Sequence, residues 1–194
     1  SSSAASDVYK RQPLSILSVY HQSSPDTPNK VLTHGDDIAA TLAEQGVRFG
    51  QRELAERIRP GTAVEEVLAT LGSQLDAVKG DFAVVEALSV NPEHPQKEEL
   101  RAGWIDERRH TGEGVHFFVS GRGLLNLRIG EYVYALVGER GDLVGVPARA
   151  AHWLDIGEQP NLLLLQWFAN EDGRTVEFTG DDSARLYPGL DDTF

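Results

Sequence analysis

Cysteine does not occur in the 194 residues, which excludes disulfide bonds and thiolate chemistry. No apolar run approaches the roughly 20 residues that span a bilayer, and residues 1–12 lack the hydrophobic segment of a secretory signal. Basic residues are scarce as well, since 18 Lys and Arg stand against 30 Asp and Glu, for a net charge of -12. Because nucleic acids and anionic membranes repel such a chain, we expect a cytoplasmic protein that binds neither.

The rest of the composition is that of an ordinary globular domain. Apolar residues make up 40% of the chain and charged residues 25%, and the length suffices for one sizeable core. We expect residues 13–194 to form a single domain. Residues 1–12 are small and polar and contain no initiator methionine, so we expect a disordered leader that need not be native.

Helix signals lie in the N-terminal half. Asp36 predicts the cap of a first helix and Gly46 its end. Thr62 and Glu65 form a T-x-x-E capping box for a second helix. Its apolar residues recur at helical spacing: Val64, Val67, Leu68, Leu71, Leu75 and Val78.

From residue 82 onward the pattern changes to short strands. Leu125, Leu127 and Ile129 alternate with Asn126 and Arg128, which is the period of a half-buried strand. We predict strands at Leu14–Tyr20, Phe82–Val90, Val115–Val119, 125–129, Tyr132–Val137, Asp142–Val146, His152–Ile156 and Leu162–Phe168. Short, regularly spaced strands indicate a mainly β fold, an antiparallel sandwich or barrel.

A fixed spacing of histidine, glycine and proline marks the strand-rich half. His110 is followed by Gly121, and Gly141 is followed by Pro147 and His152. Further characteristic segments lie at 46–49, 91–100, 115–123, 142–147, 178–182 and 187–188. In these features the chain resembles the acireductone dioxygenase family of the cupin superfamily over nearly its whole length. The resemblance implies a cupin double-stranded β-helix barrel with N-terminal α-helices.

The resemblance also implies a divalent metal held by His, His, Glu and His, but the ligand positions are only partly kept. They fall on Arg108, His110, Gly114 and His152, so the first histidine and the glutamate are replaced. Two residues after the glutamate position, where the family has an arginine thought to contact substrate, this chain has His116.

His116 predicts a replacement ligand. Side chains at i and i+2 of a strand point to the same face, so His116 should enter the site from the wall that carries residue 114. His110, His116 and His152 would then form a three-histidine cluster that holds one divalent transition metal, Fe(II) or alternatively Ni(II).

Arg108 stands in the position of a lost ligand, and two interpretations remain open. It faces solvent, or it binds the anionic part of the substrate, in which case it is a candidate catalytic residue. A guanidinium about 4 Å from a dication would be repelled by roughly 8 kcal/mol at an effective dielectric of about 20. A bound metal therefore requires Arg108 to turn away or to be neutralised by Glu107, Glu113 or the substrate.

Glu113 is the second candidate catalytic residue. It precedes Gly114 in a predicted turn at 111–114, where the flanking glycines allow positive φ and could direct the carboxylate inward as a metal ligand. The alternative is a surface acid on a flexible turn. For the substrate pocket we expect Trp104, Phe118 and Leu154, because the family has aromatic residues at the first and last of these positions.

The function that the resemblance implies is a metal-dependent dioxygenase, an oxidoreductase. It would cleave the enediol of methionine salvage with O2, to a keto acid and formate when iron is bound. The changed ligands also admit a related small organic acid as substrate. A metal-free cupin that binds a small anion and a metal-assisted lyase or isomerase remain alternatives. In each case the partner is a small, anionic molecule, and the protein is a monomer or small homo-oligomer.

Overall fold

The computed structural model describes residues 14–193, so the predicted leader at 1–12 lies outside the described residues. Within them the chain forms twelve strands. The first four strands are β1 Ile16–His21, β2 Lys30–Leu32, β3 Arg48–Gln51 and β4 Val84–Val90. The others are β5 Arg108–His110, β6 Gly114–Gly121, β7 Gly123–Ile129, β8 Tyr132–Gly138, β9 Asp142–Val146, β10 Ala151–Asp155, β11 Leu162–Phe168 and β12 Val176–Phe178. The α-helices are α1 Gly35–Ala43, α2 Val64–Leu71, α3 Asp76–Lys79 and α4 Lys97–Ile105.

The strands form two antiparallel sheets. One has seven strands in the order β12-β5-β10-β7-β8-β1-β2, and the other has five in the order β3-β9-β6-β11-β4. The predicted mainly β architecture is therefore confirmed. Among residues 14–193, no helix is both long enough and apolar enough to cross a membrane.

Strand β11 shows why several strands are apolar throughout. Leu162 and Leu164 point into the central core between the sheets. Leu163 and Leu165 point the other way and pack in a second core that includes α2 residues such as Val67. Because both faces of the strand are covered, the sequence shows no polar alternation there.

The predicted caps of the first two helices are wrong. Helix α1 has His34 at its N-cap, and Asp36 lies in the first turn. Helix α2 has Ala63 at its N-cap, and the Thr62 hydroxyl, which would have to accept from a helix N–H to form the cap, instead donates to the Arg59 carbonyl oxygen in the preceding turn. The predicted second helix is also divided. Its first part ends before Gly72, which has a φ of 51° and begins a 3-10 turn.

Gly121, the last residue of β6, needs to be glycine for two reasons. Its φ is 73°, and a Cβ at this position would overlap the carbonyl oxygen of Asn161. The short strand β5 and helix α4 were not among the predicted elements. Together they position the first residues of the site.

Candidate metal centre

The three predicted histidines come together from the two opposite sheets. His110 on β5 and His152 on β10 belong to the seven-stranded sheet, and His116 on β6 belongs to the five-stranded sheet. The ring centroids of His110 and His152 are 5.1 Å apart, and those of His116 and His152 are 5.9 Å apart. All three side chains are buried, with exposures of 5%, 1% and 2% for His110, His116 and His152.

Each imidazole has one nitrogen tied to the backbone and one without a partner. His110 Nδ1 donates to the Arg174 carbonyl oxygen at 3.2 Å, and His152 Nδ1 donates to that of Ala150 at 2.8 Å. His116 makes a hydrogen bond with the backbone of Gly114. Among residues 14–193, His110 Nε2, His152 Nε2 and His116 Nδ1 are buried and have no hydrogen-bond partner. Since a carbonyl oxygen can only accept, the free nitrogens of His110 and His152 carry a lone pair, as metal-binding histidines do.

Burial keeps these rings neutral. It lowers the pKa of His152 to about 3, with the positive charges of the other site residues adding to the effect. It lowers the pKa of His116 well below the ordinary value, and it lowers that of His110 against the opposing hydrogen bond to Arg174. Neutral imidazoles are the form that binds iron, nickel or zinc.

The three histidines fit a divalent transition metal in their donor chemistry. Imidazoles that share one ion through bonds of roughly 2 Å have ring centroids on the order of 5 Å apart, close to the separations here. Across residues 14–193, however, no group of three His, Cys, Asp or Glu side chains already has its donors placed to hold an ion. The rings therefore have to turn before three nitrogens meet at one point.

Arg108 is buried at 5% exposure, so the solvent-facing interpretation is wrong. Its guanidinium donates to the carbonyl oxygens of Gly103 at 2.5 Å and Asp106 at 3.1 Å, at the C-terminal end of α4. It also lies over the rings of Trp104 and Phe178, 5.2 and 5.0 Å from their centroids. Carbonyl oxygens at a helix C-terminus attract a cation, and they bind this one, whose charge still acts on His110 and His152. Whether Arg108 also binds substrate stays a prediction.

The two acids expected to neutralise Arg108 are engaged or placed elsewhere. The Glu107 carboxylate accepts from Arg128 at 2.6 Å and from the Thr179 hydroxyl at 2.7 Å. Glu113 is exposed in its turn, and within the described part of the chain no hydrogen bond or ion pair holds its carboxylate. A direct role for Glu113 also stays a prediction.

The vacated glutamate position faces a closed surface. A Cβ on Gly114 would lie 2.9 Å from a ring atom of Phe168, and the Phe168 ring packs against His110 with centroids 4.8 Å apart. Phe118 and Leu154, two of the predicted pocket residues, lie in the central core, and Trp104 packs partly buried against it. The structure thus places these three near the interior of the barrel, and their contact with substrate stays a prediction.

Gln166 is a site residue that the sequence analysis missed. It lies opposite His116 in the pairing of β6 and β11, is 2% exposed, and has no partner for its Nε2. It points inward with Leu164, two residues before it. The sequence does carry a signal for it, because Gln166 is the one amide in the otherwise apolar strand Leu162–Phe168.

Comparison with known proteins agrees with this architecture. The model of the ARD/ARD' family matches residues 22–176. The acireductone dioxygenase of Pseudomonas fluorescens is 52% identical over 181 residues, which cover 92% of this chain and 100% of the relative. That of Pseudomonas syringae pv. tomato is 49% identical with the same coverage. The solved acireductone dioxygenase from Bacillus anthracis, with a cadmium ion in its active center, superposes with a TM-score of 0.70 at 18% identity, covering 87% of this chain and 100% of that chain. The cupin barrel is therefore confirmed.

Proposed function

The chain belongs to the ARD/ARD' family, and on this premise we propose that it is a metal-dependent dioxygenase acting on an acireductone-type enediol with O2. The observation that carries the proposal is the convergence of three neutral imidazoles, each with a buried nitrogen that has no partner. An unpaired buried polar atom costs about 1–3 kcal/mol, so three of them on neighbouring rings favour a ligand between those rings.

Each residue of the site has a defined part in this proposal. A divalent transition metal held by His110, His116 and His152 would supply a Lewis acid and a centre for oxygen chemistry. The carbonyl oxygens of Arg174 and Ala150 keep the protons of His110 and His152 on Nδ1 and leave Nε2 free. The amide of Gln166 supplies a hydrogen-bond donor to a substrate oxygen. The surrounding leucines exclude water and so strengthen these polar contacts.

Because Gly114 stands where the family has a glutamate ligand, no ligand of this site balances the charge of a bound metal. Three neutral imidazoles carry no negative charge, so an ion of charge +2 keeps it until an anion binds. This favours a small anionic substrate, as an ionised enediol is. Fe(II) over Ni(II), a monomeric or small homo-oligomeric state and a cytoplasmic location stay predictions.

The test is metal content and oxygen consumption on the same preparation. The protein is loaded separately with Fe(II) and Ni(II), and bound metal is measured by mass spectrometry. An acireductone is then added, and O2 uptake and formate release are followed. We expect one metal per chain and O2-dependent turnover that is lost in His110→Ala. Glu113→Gln tests the second candidate catalytic residue. Unchanged turnover in this variant would place the Glu113 carboxylate outside the reaction.

Two other results would replace the proposal. Stoichiometric metal with product formed equally well under anaerobic conditions would identify a lyase or isomerase. Absence of bound metal, combined with thermal stabilisation by small carboxylates, would identify a metal-free anion-binding cupin. The second result has some structural support, since the donors are not yet placed around one point.

A further inference from the structure

An ion pair between Glu86 and Arg174 adjoins His110, one of the three histidines. Arg174 Nη1 lies 2.8 Å from Glu86 Oε1, and the backbone carbonyl oxygen of the same arginine accepts the hydrogen bond from His110 Nδ1. Three residues are therefore linked: the Glu86 carboxylate contacts the Arg174 side chain, and the Arg174 backbone contacts the His110 imidazole. The two charged side chains are only partly exposed, at 37% for Glu86 and 42% for Arg174.

Glu86 also belongs to the inner face of the five-stranded sheet. It lies opposite Gln166 in the pairing of β4 and β11, and Gln166 lies opposite His116 in the pairing of β11 and β6. Leu88, two residues further along β4, packs in the central core, so Glu86 points to the same side. The row Glu86–Gln166–His116 thus runs from the partly exposed edge of the sheet into the candidate metal centre.

We propose that Glu86 is a positioning residue of the metal centre, acting through Arg174 to keep His110 in the tautomer that leaves Nε2 free for a metal. The ion pair fixes the Arg174 backbone, and the fixed carbonyl keeps the His110 proton on Nδ1. The charge of the same carboxylate also acts on the His110 ring, although its ion pair with Arg174 balances it. Supporting contacts of this kind change metal affinity by roughly 10–100-fold. The inference rests on the proposed metal site.

The competing interpretation is an ordinary ion pair of the surface, which contributes little. The chain offers a matched control for it. Arg174 has a second carboxylate partner, Glu171, whose Oε2 lies 2.8 Å from Nη2. Glu171 is three residues away in sequence, is 68% exposed, and lies outside the row that leads to His116. It pairs with the same arginine without facing the site.

The experiment compares Glu86→Gln, Glu86→Asp and Glu171→Gln in the full-length protein. Affinity for Zn(II) and Co(II) is measured by competition with a chelating dye, and the His110 tautomer is read from imidazole nitrogen NMR of metal-free protein. We expect Glu86→Gln to weaken metal binding about 10-fold or more and to lose the Nδ1–H state of His110. Glu86→Asp should recover part of the affinity, and Glu171→Gln should change it less than about twofold.

Equal effects of Glu86→Gln and Glu171→Gln would overturn the proposal, and so would an unchanged His110 tautomer in Glu86→Gln. The failure of the proposed function gives a different result. If the parent protein binds neither metal, the dioxygenase proposal fails. The tautomer measurement on metal-free protein still decides whether Glu86 positions His110. Circular dichroism of each variant shows that a loss of affinity does not come from unfolding.

Discussion

Two buried polar clusters in this fold differ in how fully their atoms are paired. In the first, the Asp142 carboxylate accepts from the Ser15 hydroxyl at 2.5 Å, from Gln51 Nε2 at 3.0 Å and from the backbone N–H of Glu139 at 2.9 Å. In the second, the three histidines leave three buried nitrogens without partners, and Gln166 leaves a fourth. Asp142 and Ser15 in the first cluster are buried while Gln51 is exposed, and the three histidines and Gln166 of the second are all buried.

The difference supports a structural role for the first cluster and the proposed metal-binding role for the second. Three hydrogen bonds to one carboxylate stabilise a single arrangement of Ser15, β3 and β9. The histidine cluster bears a cost of about 1–3 kcal/mol for each unpaired group. Such a cost persists where a ligand later supplies the missing partner. Substitutions in the histidine cluster should therefore act most strongly on metal binding. Substitutions in the paired cluster should act on stability and leave metal binding unchanged.

The largest expected effect is on metal affinity in the histidine cluster. His152→Ala removes a candidate ligand, so its effect should exceed the roughly 10–100-fold loss that follows removal of a supporting contact. The thermal midpoint of the metal-free protein should fall as well, because the substitution opens a cavity and removes the Nδ1 hydrogen bond to the Ala150 carbonyl oxygen, so metal affinity is the property that separates the two clusters. Competition titration with Co(II) and calorimetry measure both. His34→Ala, at an exposed histidine, is the control, and equal losses in the two variants would contradict the assignment.

The next effect is on stability in the paired cluster. Asp142→Ala leaves Gln51 Nε2 and the Glu139 N–H without an acceptor, so the free energy of unfolding should fall by about 2–3 kcal/mol. Metal stoichiometry should not change, because the substituted side chain lies outside the histidine cluster. Urea unfolding and metal analysis measure the two properties, and Asp142→Asn, which keeps an acceptor oxygen, should lose less. A loss of metal without a loss of stability would break the distinction between the clusters.

The smallest effect is on the pH dependence of stability, and its sign should differ between the regions. Burial lowers the pKa of His152 to about 3, so the unfolded chain binds that proton more tightly and stability falls as the pH decreases from about 6.5 towards 3. Burial raises the pKa of Glu139, next to Asp142, to about 7. Its folded carboxyl binds the proton more tightly, so this contribution is complete below about 4.5 and is lost as the pH rises through 7.

Urea unfolding of metal-free protein between pH 4 and 8 separates the two contributions. His152→Ala should flatten the acidic side of the profile, and Glu139→Gln should flatten the decline towards neutral pH. Each variant should remove a slope on the order of 1 kcal/mol per pH unit from its side of the profile. Profiles that shift in the same direction in both variants would show that burial does not control these two groups in opposite ways.

Much of the strand pattern could be predicted, and the exceptions have physical causes. Asp142–Val146 and Leu162–Phe168 have the predicted bounds because continuous apolar runs between turns are typical of buried strands. Strand β5 was missed because three residues, Arg108–His110, are too short to show a period and carry charge. The predicted capping box at Thr62 was wrong because its hydroxyl makes a hydrogen bond with the Arg59 carbonyl oxygen of the preceding turn.

The sequence also indicated the candidate site, but not its supporting contacts. The i, i+2 relation of Gly114 and His116 correctly placed His116 beside His152. Gln166 was overlooked because one polar residue in an apolar strand does not reveal which face it occupies. Glu86 was overlooked because its relation to His110 passes through Arg174, which lies 88 residues further along the chain.

The strand period of the sequence by itself determined the mainly β class, because alternation is a local property, and the resemblance of its spaced residues to a known family implied the barrel and the histidines of the site. Only the tertiary structure decided which imidazole nitrogens are free and where the Arg108 guanidinium lies. Those outcomes depend on which carbonyl oxygen is within reach, and the one beneath His110 belongs to a residue 64 positions away. Hydrogen-bond partners over such distances are set by packing of the sheets and not by any local pattern.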